Sequence, residues 1–180
     1  MCGDCQDNDG NGLTDFEDPL CCQQLQRFDM TLSLGRIRPM SPTTSRLRLR
    51  SMLARSGLAD IDPMREDVFL QIRPAGGSDV LCAHFPATKF RRYRGAFRFQ
   101  DRLHTVEVAR SVDDVIIKVR RDGSVGFRTN SKEAKLASPP ANNLQVTVGI
   151  RDPSAGDVAN RCSTMTESFR TGRRGALLVP

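Results

Sequence analysis

Val68-Phe69-Leu70-Gln71-Ile72-Arg73 recurs 78 positions later as Val146-Thr147-Val148-Gly149-Ile150-Arg151, and this pair of segments decides the fold. Each alternates side-chain character with period two, and each is rich in β-branched and aromatic residues, the signature of a strand. The same alternation runs outward through Met30–Leu34, Arg46–Arg50, Ala96–Phe99, Val115–Val119, Ser124–Arg128 and Leu144–Ile150. Turn chemistry separates these runs at Pro74-Ala75-Gly76-Gly77, Pro139-Pro140 and Asp152-Pro153. Arg121-Asp122-Gly123-Ser124 reads as a tight hairpin. Arg50–Leu58 could hold a helical turn, but its neighbours argue strand. The chain is therefore expected to be all-β.

The recurrence extends beyond one strand. Cys82 and Cys162 stand 80 positions apart, as do Arg94-Gly95-Ala96 and Arg174-Gly175-Ala176, while Leu47–Arg50 matches Val125–Arg128. Two half-domains of about five strands follow, roughly 30–101 and 115–180. Neither half alone can bury enough apolar surface to be stable. They are expected to pack as one β-sandwich over residues 30–180. Equivalent positions in such a repeat suggest that Cys82 and Cys162 flank a pseudo-two-fold axis and bond to each other.

The segment before residue 30 has a different composition. Residues 1–29 carry a net charge of −6 and residues 30–180 a net charge of +12. Four of the six cysteines fall within the first 22 residues. Between them runs Asp7-Asn8-Asp9-Gly10-Asn11-Gly12-Leu13-Thr14-Asp15-Phe16-Glu17-Asp18. Side-chain oxygens at alternate positions Asp7, Asp9 and Asn11 can converge on one hard cation, and Gly12 allows the sharp bend. Leu13 would offer its carbonyl, Asp15 would bind directly or through water, and Asp18 would close the shell. This many protein oxygens suits calcium better than magnesium. An acidic turn would also use Asp, Asn and Gly, but would not need this register.

The loop resembles the thrombospondin type 3 repeat, departing from it at Asn11, and is similar to the loop of dockerins. With Cys2-Gly3-Asp4-Cys5 before it and Glu17-Asp18-Pro19-Leu20-Cys21-Cys22 after it, it looks most like a short element found at the start of bacterial secreted and lipoprotein-like chains. That resemblance covers about 22 residues and implies calcium binding as an extracellular structural element. Residues 1–24 are accordingly expected to form a small disulfide-braced calcium loop ahead of the sandwich. Pro19 and the Cys21-Cys22 pair stand where the exit helix of a full EF-hand would run.

Six cysteines, dense in a short acidic segment, read as a disulfide framework and hence an oxidising compartment. Cys21 and Cys22 are adjacent, so each is expected to reach back to Cys2 or Cys5. A zinc site from the same four residues is the weaker rival, because adjacent thiolates fit tetrahedral geometry poorly. Met1 precedes Cys2 with no basic or apolar export segment between them, so the expectation is a truncated or processed chain that works outside the cell or at its surface.

A calcium-binding structural or adhesive module, non-catalytic, is the function the sequence favours, with another surface protein or an acidic surface polymer as its partner. Two alternatives stand beside it. Arg46, Arg48 and Arg50 share one strand face, and Arg91, Arg92 and Arg94 cluster near Lys89, so either set could grip a polyanion. Nucleic acid is disfavoured, because the Phe residues alternate into the expected core and leave few rings to stack bases. Cys82 and His84 would share a strand face and raise a Cys/His hydrolase. The equivalent of His84 in the second repeat is Thr164, which argues against that.

Overall fold

The computed structural model describes residues 2–22, 29–54, 60–136, 142–155 and 160–179. Among them twelve strands form two antiparallel sheets. In the first half-domain the strands are β1 (Met30–Pro39), β2 (Ser45–Leu53), β3 (Asp67–Pro74), β4 (Leu81–Phe85), β5 (Phe90–Tyr93) and β6 (Ala96–Gln100). In the second they are β7 (Asp114–Val119), β8 (Val125–Ala134), β9 (Asn143–Arg151), β10 (Arg161–Ser168), β11 (Arg170–Thr171) and β12 (Leu177–Leu178). Each strand that the period-two reading anticipates is present, with one or both of its ends shifted by a residue or more.

The larger sheet has the order β11-β12-β1-β2-β8-β7-β6-β5, and the smaller has β10-β9-β3-β4. Both orders are palindromic in the repeat. β2 pairs with β8 at the centre of one sheet, β3 pairs with β9 at the centre of the other, and each flanking strand has its counterpart on the far side. A pseudo-two-fold axis therefore runs through the two central pairs. The turns repeat as well: Arg94-Gly95 and Arg174-Gly175 both hold two successive left-handed residues, the conformation of a tight primed hairpin turn.

The inner faces meet in one core. Ile37, Leu47, Leu49, Val115, Phe127 and their neighbours on the large sheet pack against Val68, Leu70, Ile72, Val146, Val148 and Ile150 on the small one. A register shift between Leu32 and Leu34 in β1 exchanges the faces of that strand midway. Leu32 and Ile37 are thereby both buried, while Leu34 and Arg36 face outward.

The outer face of the small sheet is not open to water. Phe69, Gln71, Thr147 and Gly149 are covered by the N-terminal segment, which lies on the sheet as a third layer. Phe16 sits at its centre, fully buried, with its ring centroid 4.7 Å from that of Phe69. A Cβ on Gly149 would stand 2.3 Å from the Phe16 ring, so only glycine leaves room for it. The Gln71 carboxamide binds the segment as backbone would, donating to the Thr14 carbonyl at 2.8 Å and accepting from the Phe16 amide at 3.2 Å. Arg73 and Arg151 add bonds to the carbonyls of Gly12 and Cys2.

Three disulfides fasten this layer: Cys2–Cys21, Cys5–Cys82 and Cys22–Cys162. All six cysteines are bonded, and Cys21 does reach back to Cys2. Cys22 and Cys5 instead bind the body, and the expected Cys82–Cys162 bond is corrected. The reason is strand order. Cys82 is on β4 and Cys162 on β10, the two outermost strands of the small sheet. Three strand spacings, about 14 Å, separate those strands, twice the reach of a disulfide. Both residues are equivalent about the axis but lie far from it, and each takes its own partner from the overlying segment.

Candidate metal centre

The loop is bent by its own side chains. Asp7 accepts hydrogen bonds from the amides of Gly10 and Gly12, both at 2.8 Å. These amides, that of Gly12 first, hold its carboxyl below the ordinary aspartate range. Asp9 accepts from the Asn11 amide, and Asn11 accepts from the Leu13 amide at 2.7 Å. Asp18 accepts from the Leu20 amide at 2.7 Å, and its second oxygen lies 3.3 Å from the Asn11 carboxamide nitrogen. Gly10 and Gly12 both adopt positive φ.

Asp9, Asp15 and Asp18 line a single cavity of about 220 Å³, together with Gln6, Asn8 and the Cys2–Cys21 bridge. Asp7, Asn11 and Leu13 shape the turn beside it. Among the described residues no three of the loop carboxylates come within 4.8 Å of one another.

Asp15 occupies a second role that the sequence reading does not contain. It is buried, and its carboxylate accepts from the amides of Gly3 at 2.6 Å, Asp4 at 3.2 Å and Cys5 at 2.8 Å. Burial pushes its carboxyl above the ordinary range, and those three amides oppose the shift. A carboxylate offers about four lone-pair sites, so one remains for an ion or a bridging water. Position nine of a calcium loop often acts through water, which is compatible with that limit. The side-chain donors at the cavity are oxygens, the ligand type that a hard cation takes. Asp15 also lies close to the sulfurs of Cys5 and Cys82. Those sulfurs are joined to each other, so they offer no thiolate for a metal. The same bonding removes the zinc alternative and the Cys82 nucleophile. His84 stacks on Phe69 and pairs with Asp67 at 3.1 Å.

Beneath the loop lies a buried acid pair. Glu17 is shielded from solvent, 3.0 Å from the Arg73 guanidinium. Desolvation, then the charge of Asp79, pushes its carboxyl up to about 8, against the pull of Arg73. Desolvation likewise pushes Asp79 up to about 6, opposed by the Gln71 carboxamide and by Arg73. Both groups hold protons in the fold that the unfolded chain releases. Stability therefore falls as pH rises from about 4.5 to about 8, by about 1.4 kcal/mol per pH unit for each group still protonated only in the fold. Asp122 and Asp152 act oppositely. The Ser124 and Ser154 hydroxyls lower their carboxyls, so what they contribute is lost only below about pH 4. Denaturant midpoints measured with calcium chelated should decline between pH 5 and pH 8, and Glu17→Gln should flatten that decline. A midpoint that rises over this range would show that Arg73 keeps Glu17 ionised.

No known protein-family model and no curated protein matches the chain. No helix among the described residues is long and apolar enough to cross a membrane.

Proposed function

We propose that this is an extracellular or cell-surface calcium-binding structural module without catalytic activity, in which a calcium ion rigidifies the N-terminal layer on the β-sandwich. One observation carries the reading: Asp9, Asp15 and Asp18 line a single cavity in a loop whose ends are fixed to the body by disulfides. Cross-linking of this kind lowers the entropic cost of gathering ligands. Three disulfides with no free cysteine favour an oxidising compartment. Extracellular modules bind calcium with Kd of about 10⁻⁴ to 10⁻³ M.

Calorimetric titration tests this. At 10 mM calcium the fold should gain on the order of 1–3 kcal/mol. For a chain of this size the gain raises Tm by about 2–12 °C. Asp9→Asn with Asp18→Asn should abolish both the heat and the shift, and magnesium should reproduce neither. Absence of heat and of any Tm change at 10 mM calcium overturns the reading.

A further inference from the structure

We propose that the outer face of the large sheet, across β1, β2 and β8, is a binding surface for a linear acidic polysaccharide. Six arginines make it: Arg36 and Arg38 from β1, Arg46, Arg48 and Arg50 from β2, and Arg128 from β8. The register places them in like-charged pairs. Arg36 lies opposite Arg48, Arg38 opposite Arg46, and Arg50 opposite Arg128. Directly opposed like charges on adjacent strands repel. Among the described residues none of the six takes part in an ion pair. Among the described residues their one side-chain hydrogen-bond partner is Asn130, which accepts from Arg48 at 3.1 Å. An arrangement that repels itself, with no carboxylate to relieve it, is complementary to anions supplied from outside.

The geometry selects the kind of anion. The face has two shallow adjoining depressions that share Arg48. One, of about 90 Å³, is lined by Arg36, Arg38, Arg46 and Arg48. The other, of about 130 Å³, takes in Arg48, Arg50 and Arg128. Each suits one sulfate or carboxylate, which the planar guanidinium fork grips bidentately. Two such positions side by side on a flat sheet suit a chain with repeating charges. Nucleic acid fits less well, because stacking needs exposed rings. Among the described residues the one exposed aromatic is Tyr93 on β5, three strands beyond β8, where Arg94 and Arg98 lie against its ring. The choice of a glycan rests on the extracellular reading above; the anion-binding face does not.

The structure also separates the two arginine sets that sequence alone treats alike. At the β5 end Arg91 hydrogen-bonds Gln100 and lies opposite Arg98, which is paired with Asp114 at 2.6 Å, while Arg92 and Arg94 lie over the Phe97 and Tyr93 rings, so those guanidiniums are engaged within the sheet.

Heparin and polygalacturonate are the probes, titrated in EDTA over a series of NaCl concentrations so that the result is independent of calcium. Arg36→Gln with Arg48→Gln and Arg128→Gln should weaken binding at least tenfold and lower the salt slope by about three, one for each charge removed. The variant of equal charge, Arg91→Gln with Arg94→Gln and Arg121→Gln, should bind within about twofold of the parent. If the first variant misfolds by circular dichroism, the three single variants should each lower the slope by about one. Equal losses in both triple variants would reduce the effect to net charge and overturn the site. Single-stranded DNA of matched charge competing as well as heparin would overturn the glycan while leaving the calcium reading untouched.

Discussion

Replacing Cys22 and Cys162 together by alanine is expected to cost about 3–5 kcal/mol, more than loss of either other disulfide. That bond spans 140 residues, against 77 for Cys5–Cys82 and 19 for Cys2–Cys21. With the other two bonds intact, the shortest loop closed by Cys22–Cys162 runs through Cys21–Cys2 and Cys5–Cys82 and holds about 85 residues, so chain entropy gives about 4.6, 4.5 and 3 kcal/mol and sets both long bonds above Cys2–Cys21. Packing then sets Cys22–Cys162 above Cys5–Cys82. Cys22 and Cys162 belong to the small apolar cluster with Phe16 and Phe69, so the bond is part of the contact between the layers. At about 2–4 °C per kcal/mol the paired variant should melt about 6–20 °C below the parent. The Cys2→Ala with Cys21→Ala variant should fall by less, because it leaves the layer tied at two points. Denaturant unfolding of the three paired variants checks the order. A loss below about 1 kcal/mol for the 22–162 pair, or a larger loss for the 2–21 pair, would mean that the N-terminal layer is not held as described.

That connectivity was the least legible part of the chain. Strands of the sheet interiors announce themselves by alternation, because one face must be apolar. β11 and β12 hold only two residues each, too few for any pattern, and they emerge only as counterparts of β5 and β6. The repeat correctly makes Cys82 and Cys162 equivalent. Equivalence does not give distance from the axis, which depends on strand order, and strand order is a long-range property.

The arginine face was half legible for a similar reason. Arg46, Arg48 and Arg50 show in simple alternation, whereas Arg36 and Arg38 follow a bulge that breaks the phase after Leu32. Arg128 joins them only through pairing of β2 with β8. In the loop, Asp15 has the residue type and spacing of a ligand, and these are equally the properties of a carboxylate that gathers three backbone amides. Nothing local marks Glu17 as buried, and its burial follows from the third layer. One local signal of that layer does exist. Val68-Phe69-Leu70 puts a large apolar residue on each face of β3 in succession, which a strand open to water on one side would not do.

The third layer turns on one side chain. Phe16→Ala is expected to cost about 3–5 kcal/mol, as for other fully buried aromatic truncations. Among the described residues its ring is the only phenyl group the N-terminal segment adds to the small cluster, and the rest of that cluster is Phe69 and a disulfide. Nothing nearby can collapse into the space, since the Cys5–Cys82 and Cys22–Cys162 bonds hold the segment at a fixed height. The effect should be local in one respect and global in another. Amide exchange should quicken first at Phe16, whose N–H is held by Gln71, while strands of the main core keep their protection until global unfolding. Gly149→Ala probes the same contact from the opposite side. Its methyl group would enter the Phe16 ring, and the strain should cost about 1–3 kcal/mol. The two changes should not add: with Phe16 cut back to alanine, the Gly149→Ala methyl group has space, and the double variant should be more stable than the sum of the single losses allows. Simple additivity in that double-mutant cycle would place Phe16 somewhere other than over Gly149.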